Sequence, residues 1–525
     1  ISLGFHNIML DFHPLSLSDK HWINSYLEKL RDPICDYSFA NLFIWKHLYH
    51  TECAKINDFL IIRFCNPLCM QCFFLEPLGE GSLQDILEIL REEAHQNNVP
   101  LRLMSLSSSF IKKLSGLNIA SDFFWFDNRD YANYVYDSKS LCKLDEKGFE
   151  AKRNHIRRFE KKYPNYQYRA LSSKDSSFAF SLFDQWVKQK NDLSEHNVER
   201  ESIEAAFAHF EELELEGLLL LVDNTPVAFS FGSRLDSNTF CIHAEKANSN
   251  YQGAYAMINK LMAQTLCERF EFINREEDIG ILNLRKSKLS YHPKKMISNF
   301  QAFENKSDEV AIWRLWKTCF NDSDEFIFSY LSSYSTPETR VLHYENQKLI
   351  SMFHVHLFES DWGKVSYLYG LGTEPEYRGK GKAALVIEES LKRSKEANCI
   401  AAWVVQENKD FKSWDTTFDF AAVGETVLQF VTPDNFEFGG DDKNDFGLCR
   451  LLAPKEYLQK YVDLHPDAKI DFDYHDRIFP EVSGRYQSNH GLITFTPSSS
   501  FSKEVLNPKL VLSLYPLNGG LRLKV

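Results

Sequence analysis

The feature that most constrains the fold of this chain is an internal repeat. Three stretches each read as two antiparallel strands, a glycine-containing turn, a helix and a further strand, and they occupy residues 58–106, 221–276 and 343–405. A glycine or glycine pair comes at the helix start each time, and such self-similarity is typical of repeated structural units. The repeat predicts three α/β lobes of one kind. The alternative is that hairpin–helix–strand segments are common in α/β proteins and the likeness has no meaning.

Length and composition bound the class of protein. The chain has 525 residues, 44% of them hydrophobic, and a formal net charge of −13. At about 100–200 residues per domain, three or four domains are expected. The acidic balance argues against a protein coated with nucleic acid or anionic lipid, and no apolar run approaches the roughly 18–20 residues of a membrane helix. The first residues, ISLGFHNIML, lack the basic region of a signal peptide. We expect a cytoplasmic, multidomain protein without stable membrane insertion, and peripheral membrane contact stays open.

The eleven cysteines form no even framework, which is typical of reduced thiols in a cytosolic chain. Cys65, Cys69 and Cys72 have the spacing CxxxCxxC, which resembles the iron–sulfur ligand loop of radical S-adenosylmethionine enzymes. Strand-like sequences flank Asn66 and Pro67, however, and this context predicts a hairpin instead of a ligand loop. The cysteines are therefore predicted to be small buried hydrophobic residues, and no metal is expected.

A phosphate-binding turn is predicted within EYRGKGKAALVIEESL, residues 376–391. Gly379 and Gly381 precede a helix with an apolar face, so backbone N–H groups can approach a pyrophosphate at the positive end of that helix. Arg378 and Lys380 add positive charge beside the turn. The segment therefore predicts a site for a phosphorylated ligand.

Residues 366–383, SYLYGLGTEPEYRGKGKA, resemble motif A of the GNAT acetyltransferases, whose signature (Arg/Gln)-x-x-Gly-x-(Gly/Ala) is filled by Arg378, Gly381 and Ala383. The resemblance covers residues 306–440 and implies acetyl-CoA or a longer acyl-CoA as cofactor, its pyrophosphate on the N–H groups of residues 379–384 and its thioester beside the strand YLYGLG. The cofactor-binding residues that it implies are Leu371, Arg378, Gly379, Lys380, Gly381, Lys382, Ala383 and Asn408. Where the family has a tyrosine that protonates the leaving thiolate, this chain has Trp414, which offers no acidic proton. Cofactor binding is therefore a firmer expectation than ordinary acetyl transfer.

Residues 449–495 resemble the sterol-carrier-like tail that follows the GNAT domain in the Eis-like acetyltransferases. In that group the chain terminus can enter the active site and its carboxylate can act as a base, a role that would fall here to Val525. The alternative is a C-terminal packing module. We predict a small α+β tail over residues 441–525.

The first 305 residues resemble the C-terminal domain group of the phosphatidylglycerol lysyltransferases (DUF2156). The motifs that carry the resemblance are CDYSFANLFIWKHLY (35–49), DNRDYANYVYDSKSL (127–141), KRNHIRRF (152–159), HAEKANSNYQGAYAMIN (243–259) and INREEDIGILNLRKSKLSYHP (273–293). It implies two tandem GNAT-like lobes, at residues 1–145 and 146–305, and transfer of an aminoacyl group from tRNA to a lipid head group. The helix start of the second lobe, NYQGAYA, lacks the CoA signature, so CoA is not its expected donor.

Aminoacyl transfer needs a base for the acceptor hydroxyl and cations for phosphates. The carboxylates predicted to be catalytic are Glu276, Asp278 and Glu245. The cations predicted to bind donor or acceptor phosphates are Arg275, Arg285, Lys286 and Lys288. The alternative for each is an ordinary ion pair at the end of an element. Likewise, KRNHIRRFEKKY (152–163) is either a solvated amphipathic helix or a patch for tRNA phosphates.

The sequence thus predicts an α/β (α+β) protein of three tandem GNAT-like lobes with mixed, mainly antiparallel sheets and a small C-terminal α+β tail. The predicted function is acyl transfer. A GNAT domain at 306–440 transfers an acyl group from acyl-CoA to an acceptor that the sequence does not identify, with a lipid head group, an amine or a peptide as the alternatives, and an aminoacyltransferase-like region precedes it. The alternative is a non-catalytic protein whose degenerate lobes bind CoA, tRNA or a partner.

Overall fold

The computed structural model of the chain describes residues 10–30, 34–65, 72–190, 196–360, 363–406, 418–425, 446–489, 491–497 and 505–506. The chain divides into two compact units. Unit 1 comprises Ile1–Val310 and Ser323–Ser333, and unit 2 comprises Ala311–Asp322 and Tyr334–Val525. The chain therefore crosses between the units more than once around residue 320.

Unit 1 is built from strands and helices in alternation. Its strands are β1 (His13–Pro14), β2 (Glu52–Ile56), β3 (Phe59–Cys65), β4 (Cys72–Phe74), β5 (Leu78–Gly79), β6 (Arg102–Leu106), β7 (Phe123–Asp127), β8 (Asn133–Asp137), β9 (Gln167–Ala170), β10 (Glu216–Val222), β11 (Thr225–Arg234), β12 (Thr239–Ala247), β13 (Phe272–Asn274), β14 (Lys295–Ile297) and β15 (Phe300–Glu304). Its helices are α1 (Lys20–Leu27), α2 (Phe39–Ile44), α3 (Lys46–Tyr49), α4 (Leu83–Gln96), α5 (Ser108–Ser115), α6 (Ser138–Lys143), α7 (Glu150–Lys162), α8 (Ser176–Lys190), α9 (His196–Ala208), α10 (Ala254–Leu266), α11 (Leu282–Leu289), α12 (Asp308–Phe320), which the unit boundary crosses, and α13 (Asp324–Ser333).

Two mixed sheets form the framework of unit 1. The first has the order β1-β2-β3-β4-β6-β15-β7, with β5 beside β3, and the second has the order β14-β8-β13-β12-β11-β10-β9. Strand β8 lies in the second sheet although it precedes residue 145, and β15 returns to the first sheet between β6 and β7. The two predicted lobes therefore exchange strands near residues 133 and 300, and the boundary at 145 remains a prediction from sequence.

Unit 2 contains two further sheets. Its strands are β16 (Arg340–Glu345), β17 (Lys348–Ser360), β18 (Gly363–Thr373), β19 (Ala401–Gln406), β20 (Ala421–Glu425), β21 (Phe446–Leu451), β22 (Asp471–Tyr474), β23 (Gly484–Asn489), β24 (Leu492–Pro497) and β25 (Val505–Leu506), and its other helices are α14 (Lys382–Glu396) and α15 (Pro454–Leu464). The sheet orders are β16-β17-β18-β19-β21-β20 and β24-β23-β22-β25. The smaller sheet and α15 lie within the predicted tail. Strand β21 also lies within the residue range of the tail, but it pairs in the larger sheet, between β19 and β20.

The predicted repeat is present in the fold. Each copy contains one parallel pair of strands with a helix between them in sequence: β4 and β6 around α4, β12 and β13 around α10, and β18 and β19 around α14. The helices cover their sheets with apolar faces; Ile387 and Leu391 of α14, for example, are buried in one cluster with Phe353 and Leu368. The prediction of mixed, mainly antiparallel sheets in repeated lobes is confirmed.

The cysteine hairpin was also predicted. Strands β3 and β4 pair antiparallel with Cys65 opposite Cys72, which confirms the hairpin. These two cysteines form a disulfide, so the expectation of reduced, purely hydrophobic thiols is wrong for this pair; the register brings their Cα atoms to 4.2 Å. Cys69 lies outside the described residues. In the part of the chain that is described, no helix has the length and apolar character to cross a membrane.

Candidate functional site

The glycine turn of unit 2 is open on its outer side. Gly379 and Gly381 have φ angles of 72° and 76°, the left-handed region that glycine adopts without steric cost. A Cβ atom built on either residue would meet nothing within 4 Å. Gly381 is the N-cap of α14 and provides no side-chain cap, so the first N–H groups of the helix are left for a ligand that accepts hydrogen bonds.

Basic side chains surround this turn, and two of them contact the protein. The Arg378 Nε atom donates to the Thr373 carbonyl oxygen over 3.1 Å and ties the turn to the end of β18. The Lys382 ammonium lies 2.5 Å from a carboxylate oxygen of Glu345. Lys380 is exposed, with its ammonium 5.6 Å from the centre of the Tyr377 ring. Arg378 and Lys380 are therefore the exposed cations of the turn, and Lys382 is half-buried.

Strands β18 and β19 stop pairing before they reach the turn. Their parallel register ends at Tyr367 and Trp403, although β18 continues to Thr373 and β19 to Gln406. The backbone near Leu371 is consequently not paired with β19. Ala383 is partly buried against the core in the first turn of α14. Asn408 and Trp414 lie outside the described residues.

The corresponding turn of the second lobe is closed. Gly253 is the N-cap of α10 and has a φ of 93°, but a Cβ atom there would come within 2.5 Å of the His155 carbonyl oxygen and 3.0 Å of Phe159. Both neighbours belong to α7. Helix α7 thus fills the space that a phosphate would need, in agreement with the missing CoA signature.

The carboxylate of Glu276 meets a histidine at the end of β13. The side chain of Asn274 accepts the Glu276 N–H over 2.7 Å, and Glu276 adopts a left-handed φ of 59°, which non-glycine residues reach mainly at constrained, often functional positions. One Glu276 oxygen lies 2.9 Å from His243 Nδ1. The other ring nitrogen, Nε2, lies 2.8 Å from the Ser233 hydroxyl. A carboxylate, an imidazole and a hydroxyl therefore form one connected chain.

Asp278 occupies a buried ion-pair network instead. Its side chain is fully buried and accepts hydrogen bonds from Arg285 at 2.7 and 3.0 Å, from Arg129 at 3.2 Å and from the Tyr134 hydroxyl. Burial raises the pKa of Asp278, but the hydrogen bonds from Arg285 and Tyr134 outweigh it and the net pKa is lowered. Arg285 also pairs with Asp130 at 2.5 Å. This geometry is that of a structural ion-pair network, and the catalytic role of Asp278 and the phosphate-binding role of Arg285 stay predictions from the sequence.

Glu245 and Arg275 form an ion pair with a second cation nearby. Their charged atoms lie 2.9 Å apart, and the Arg275 guanidinium lies 4.9 Å from the centre of the Tyr291 ring. The Lys152 ammonium approaches the same ring to 3.8 Å. Burial and then the charge of Arg275 lower the pKa of Lys152 to about 8. Two cations thus face one carboxylate, which leaves a positive local charge suited to an anionic group.

The two lysines of α11 have different surroundings. The Lys288 side chain is buried, and its ammonium donates to the carbonyl oxygens of Arg275 at 2.6 Å and of Glu277. Lys286 is exposed. Because the Lys288 ammonium stabilises the loop after β13, only Lys286 of this pair is placed to meet a ligand.

Several side chains near the end of β13 were not predicted from the sequence. The Cys35 thiol donates to Glu277 over 3.0 Å, and Asp36 lies near enough for its charge to affect that of Glu277. Burial, followed by repulsion between neighbouring carboxylates, raises the pKa values of Asp36 and Glu277. His243 could have been found, because β12 lies beside β13 and the family motif HAEKANSN contains it. Cys35 and Asp36 are distant in sequence, and their approach could not be read from it.

Comparison with known proteins agrees with the resemblances of residues 1–305 and 306–440. The family model described as phosphatidylglycerol lysyltransferase, C-terminal, matches residues 28–303, and that of the acetyltransferase (GNAT) family matches residues 309–415. An uncharacterized protein of Mycoplasmoides gallisepticum is 22% identical over 225 residues, which are 41% of this chain and 70% of the relative.

Solved structures are similar over more than half of the chain. A conserved protein of unknown function from Bacteroides thetaiotaomicron has 36% identity and a TM-score of 0.54, covering 56% of this chain and all (100%) of that one. The C-terminal domain (DUF2156) of a putative lysylphosphatidylglycerol synthetase from Agrobacterium fabrum has 11% identity and a TM-score of 0.43, with 61% and 99% covered. The chain belongs to the phosphatidylglycerol lysyltransferase C-terminal family, carries a GNAT-family domain after it, and is an acyl or aminoacyl transferase.

Proposed function

We propose that the GNAT domain of unit 2 binds acetyl-CoA or a longer acyl-CoA at residues 378–383 and transfers the acyl group to an amine or hydroxyl acceptor. The observation that carries this proposal is the open turn with Gly379 and Gly381 in left-handed conformation. A pyrophosphate can accept hydrogen bonds from the N–H groups at the start of α14 without displacing a side chain. Lys380 adds a charge-assisted hydrogen bond from the solvent side.

The end of the β18–β19 pairing at Tyr367, before Leu371, supports a place for the thioester near Leu371. Attack by the acceptor nitrogen or oxygen forms a bond to the acyl carbon, breaks the thioester C–S bond and releases CoA thiolate, while the acceptor loses its proton to water. A thiol has an ordinary pKa of about 8.5, so the thiolate is a tolerable leaving group near neutral pH and can take its proton from water. The proposal therefore needs no acid from Trp414.

Calorimetric titration of the full chain with acetyl-CoA and with CoA tests this assignment. We expect saturable binding of both ligands, with competition between them, and incorporation of labelled acetyl groups into an amine acceptor. Binding without transfer to any acceptor would favour the alternative of a ligand-sensing protein, and no binding would remove the CoA assignment.

A second activity is proposed for unit 1: transfer of an aminoacyl group from tRNA. Glu276 is the carboxylate of the three that remains beside a titratable partner, His243, and it is placed to accept the proton of an acceptor hydroxyl. Arg275 and Lys152 would bind a donor phosphate. A lipid head group, an amine or a peptide is the proposed acceptor.

The aminoacyl assignment is tested by transfer of label from total charged tRNA to lipid and peptide extracts. Glu276→Gln should lower the rate with little change in tRNA affinity. Lys152→Ala should weaken tRNA binding, less so at high salt, whereas Lys112→Ala, at an exposed lysine of α5 outside residues 152–163, serves as the control. Absence of both transfer and tRNA binding at low salt would make unit 1 a scaffold.

Location and domain limits complete the proposal. We place the protein in the cytoplasm, touching the membrane surface when the acceptor is a lipid, and cell fractionation measures this. The lobes are proposed at 1–145, 146–305 and 306–440, and residues 441–525 as a packing module. Val525 lies outside the described residues.

A further inference from the structure

A cluster of metal-ligand side chains lies at the junction of β12 and β13. Cys241, His243 and Glu276 each present one ligand atom, and these atoms all lie within 4.8 Å of one another. The Cys241 sulfur is 3.8 Å from a Glu276 oxygen, and His243 Nδ1 is 2.9 Å from it. We infer that these three residues bind one divalent metal ion of the zinc class, a property that does not depend on the proposed transfer reactions.

The fold explains why the three residues meet. Strand β12 pairs in parallel with β13, with Cys241 opposite Asn274, so the residues that follow Asn274 run beside His243. The register of β12 with β11 shifts at this point: Phe231 is opposite Ala244 and Gly232 is opposite Ile242, which leaves His243 as an extra residue. Such a bulge redirects a side chain at the edge of a site. Here it directs the imidazole to the carboxylate of the neighbouring strand end.

The donor set fits zinc in chemistry and in size. Zinc takes cysteine sulfur, histidine nitrogen and carboxylate oxygen in tetrahedral geometry at about 2.0–2.3 Å, and three protein ligands leave one position for water or substrate. Those lengths correspond to ligand–ligand distances of about 3.4–3.6 Å, between the 2.9 and 3.8 Å observed. Small movements of the side chains would complete the geometry. The thiol proton of Cys241 would pass to solvent on binding.

The hydrogen bonds of His243 on the side away from Glu276 are typical of a histidine that binds a metal ion. The imidazole is fully buried, and its Nε2 atom lies 2.8 Å from the Ser233 hydroxyl, which itself lies 3.1 Å from the Ser38 hydroxyl. Metal-binding histidines are usually oriented by such a bond on the second nitrogen. If Nε2 donates to Ser233, the lone pair of Nδ1 faces a carboxylate oxygen, and a proton or a metal ion has to lie between them.

The charge of the surroundings is a second, independent observation. Three carboxylates, of Asp36, Glu276 and Glu277, are close enough to affect one another, directly or through their neighbour. The ammonium of Lys288 is close enough for its charge to act on Glu276 and Glu277, although its hydrogen bonds go to carbonyl oxygens. One ammonium does not balance three carboxylates, and burying unbalanced carboxylates together is unfavourable. A divalent ion bound to Glu276 would provide that charge.

A second cluster of similar composition shows the contrast. His13, Asp19 and Cys53 also lie within ligand distance of one another. Both oxygens of Asp19 already accept hydrogen bonds, one from Trp22 and the other from the backbone N–H and hydroxyl of Ser16. That cluster is accounted for by helix capping, whereas Cys241 and His243 lie within β12 and Glu276 follows β13, away from the helix starts among the described residues.

The same metal would be compatible with the proposed chemistry of unit 1. A carboxylate that binds a metal through one oxygen keeps the other for a proton, so Glu276 can hold the ion and still serve as base. The open fourth position would accept the acceptor hydroxyl, whose pKa a bound metal lowers.

Metal content of the purified full chain is the decisive measurement. After incubation with zinc and dialysis, we expect about one ion per chain by mass spectrometry. Cys241→Ser and His243→Gln should each weaken zinc binding at least about 100-fold in a chelator competition, since each removes a direct ligand. Cys267→Ser removes another buried cysteine of unit 1, and His13→Gln tests the second cluster; both should leave zinc binding unchanged.

Cobalt substitution protects the test against variants that fail to fold. In the wild-type chain, bound Co²⁺ should give a thiolate-to-cobalt charge-transfer band and the visible spectrum of a tetrahedral site, and both should disappear in Cys241→Ser that retains its circular dichroism. Less than about one tenth of an ion per chain, or a spectrum without thiolate character, overturns the inference. Loss of zinc in His13→Gln alone would assign the ion to the other cluster and overturn it as well.

Discussion

The replacement Gly381→Glu probes the proposed CoA site most directly. Because a Cβ atom at this residue meets nothing within 4 Å, the new side chain should fit the protein and obstruct only a ligand. The φ of 76° adds strain of about 1–2 kcal/mol for a residue with a Cβ atom. Because this strain is the same with and without CoA, it lowers the free energy of unfolding and leaves the CoA affinity unchanged.

The loss of binding has a steric part and an electrostatic part. A carboxylate about 4–8 Å from the pyrophosphate repels it by about 2–4 kcal/mol at the effective dielectric constant of a protein surface. Displacement of the phosphate from the N–H groups of α14 adds about 1 kcal/mol or more. We therefore expect a total loss of at least about 3 kcal/mol, or more than about 100-fold in affinity.

Two matched variants separate these parts in calorimetric titrations with CoA. Gly381→Gln has the same size and strain without the charge, and should bind CoA about 2 kcal/mol more tightly than Gly381→Glu. Gly491→Glu places the same change at another open, left-handed glycine, with a φ of 79°, and should leave CoA affinity unchanged. Equal affinity of the Glu and Gln variants would show that no anion lies at the turn. Wild-type affinity in all of them would refute the site.

Further predictions concern stability. Asp278→Asn should lower the free energy of unfolding of unit 1 by about 3–5 kcal/mol in urea titrations, because it breaks a buried ion-pair network. Lys288→Ala should destabilise by about 1–3 kcal/mol by leaving two carbonyls unpaired, while Lys286→Ala should have no such effect. Burial lowers the pKa of His356 to about 4, so the folded state favours the neutral imidazole. The resulting contribution to the free energy of unfolding is complete above pH 6.5. It should be lost as the pH falls towards 4, by about 3 kcal/mol. His356→Gln should flatten that pH dependence in thermal melts.

Local patterns in the sequence were sufficient for the elements that depend on neighbouring residues. The glycine pair before an apolar face predicted the turn and α14, because only glycine adopts positive φ freely and the apolar spacing repeats with the helix. The hairpin of Cys65 and Cys72 followed from turn residues between two strands. Its disulfide did not, since composition argued for reduced thiols while the strand register decides which side chains touch.

The environment of the carboxylates could not be predicted in the same way. Asp278 is surrounded by Arg129 and Tyr134, which precede it by more than a hundred residues, and only the exchange of β8 into the second sheet brings them together. The sequence predicts Lys288 as a phosphate ligand, but in the structure its ammonium donates to a carbonyl oxygen of the neighbouring loop. Sequence gives the residue types at a strand end, but the partners that decide between base and ion pair come from other elements.

The three copies of the repeat differ at the start of their helices, and that difference limits where a phosphate can bind. In the first copy Ser82 caps α4 by accepting the Asp85 N–H over 3.2 Å. In the second, the backbone of His155 fills the space beside Gly253. In the third, Gly381 leaves the helix start both uncapped and open. Because an anion needs free N–H groups and room at once, the third copy alone among the described repeats meets both conditions, and it is the copy in which the CoA site is proposed.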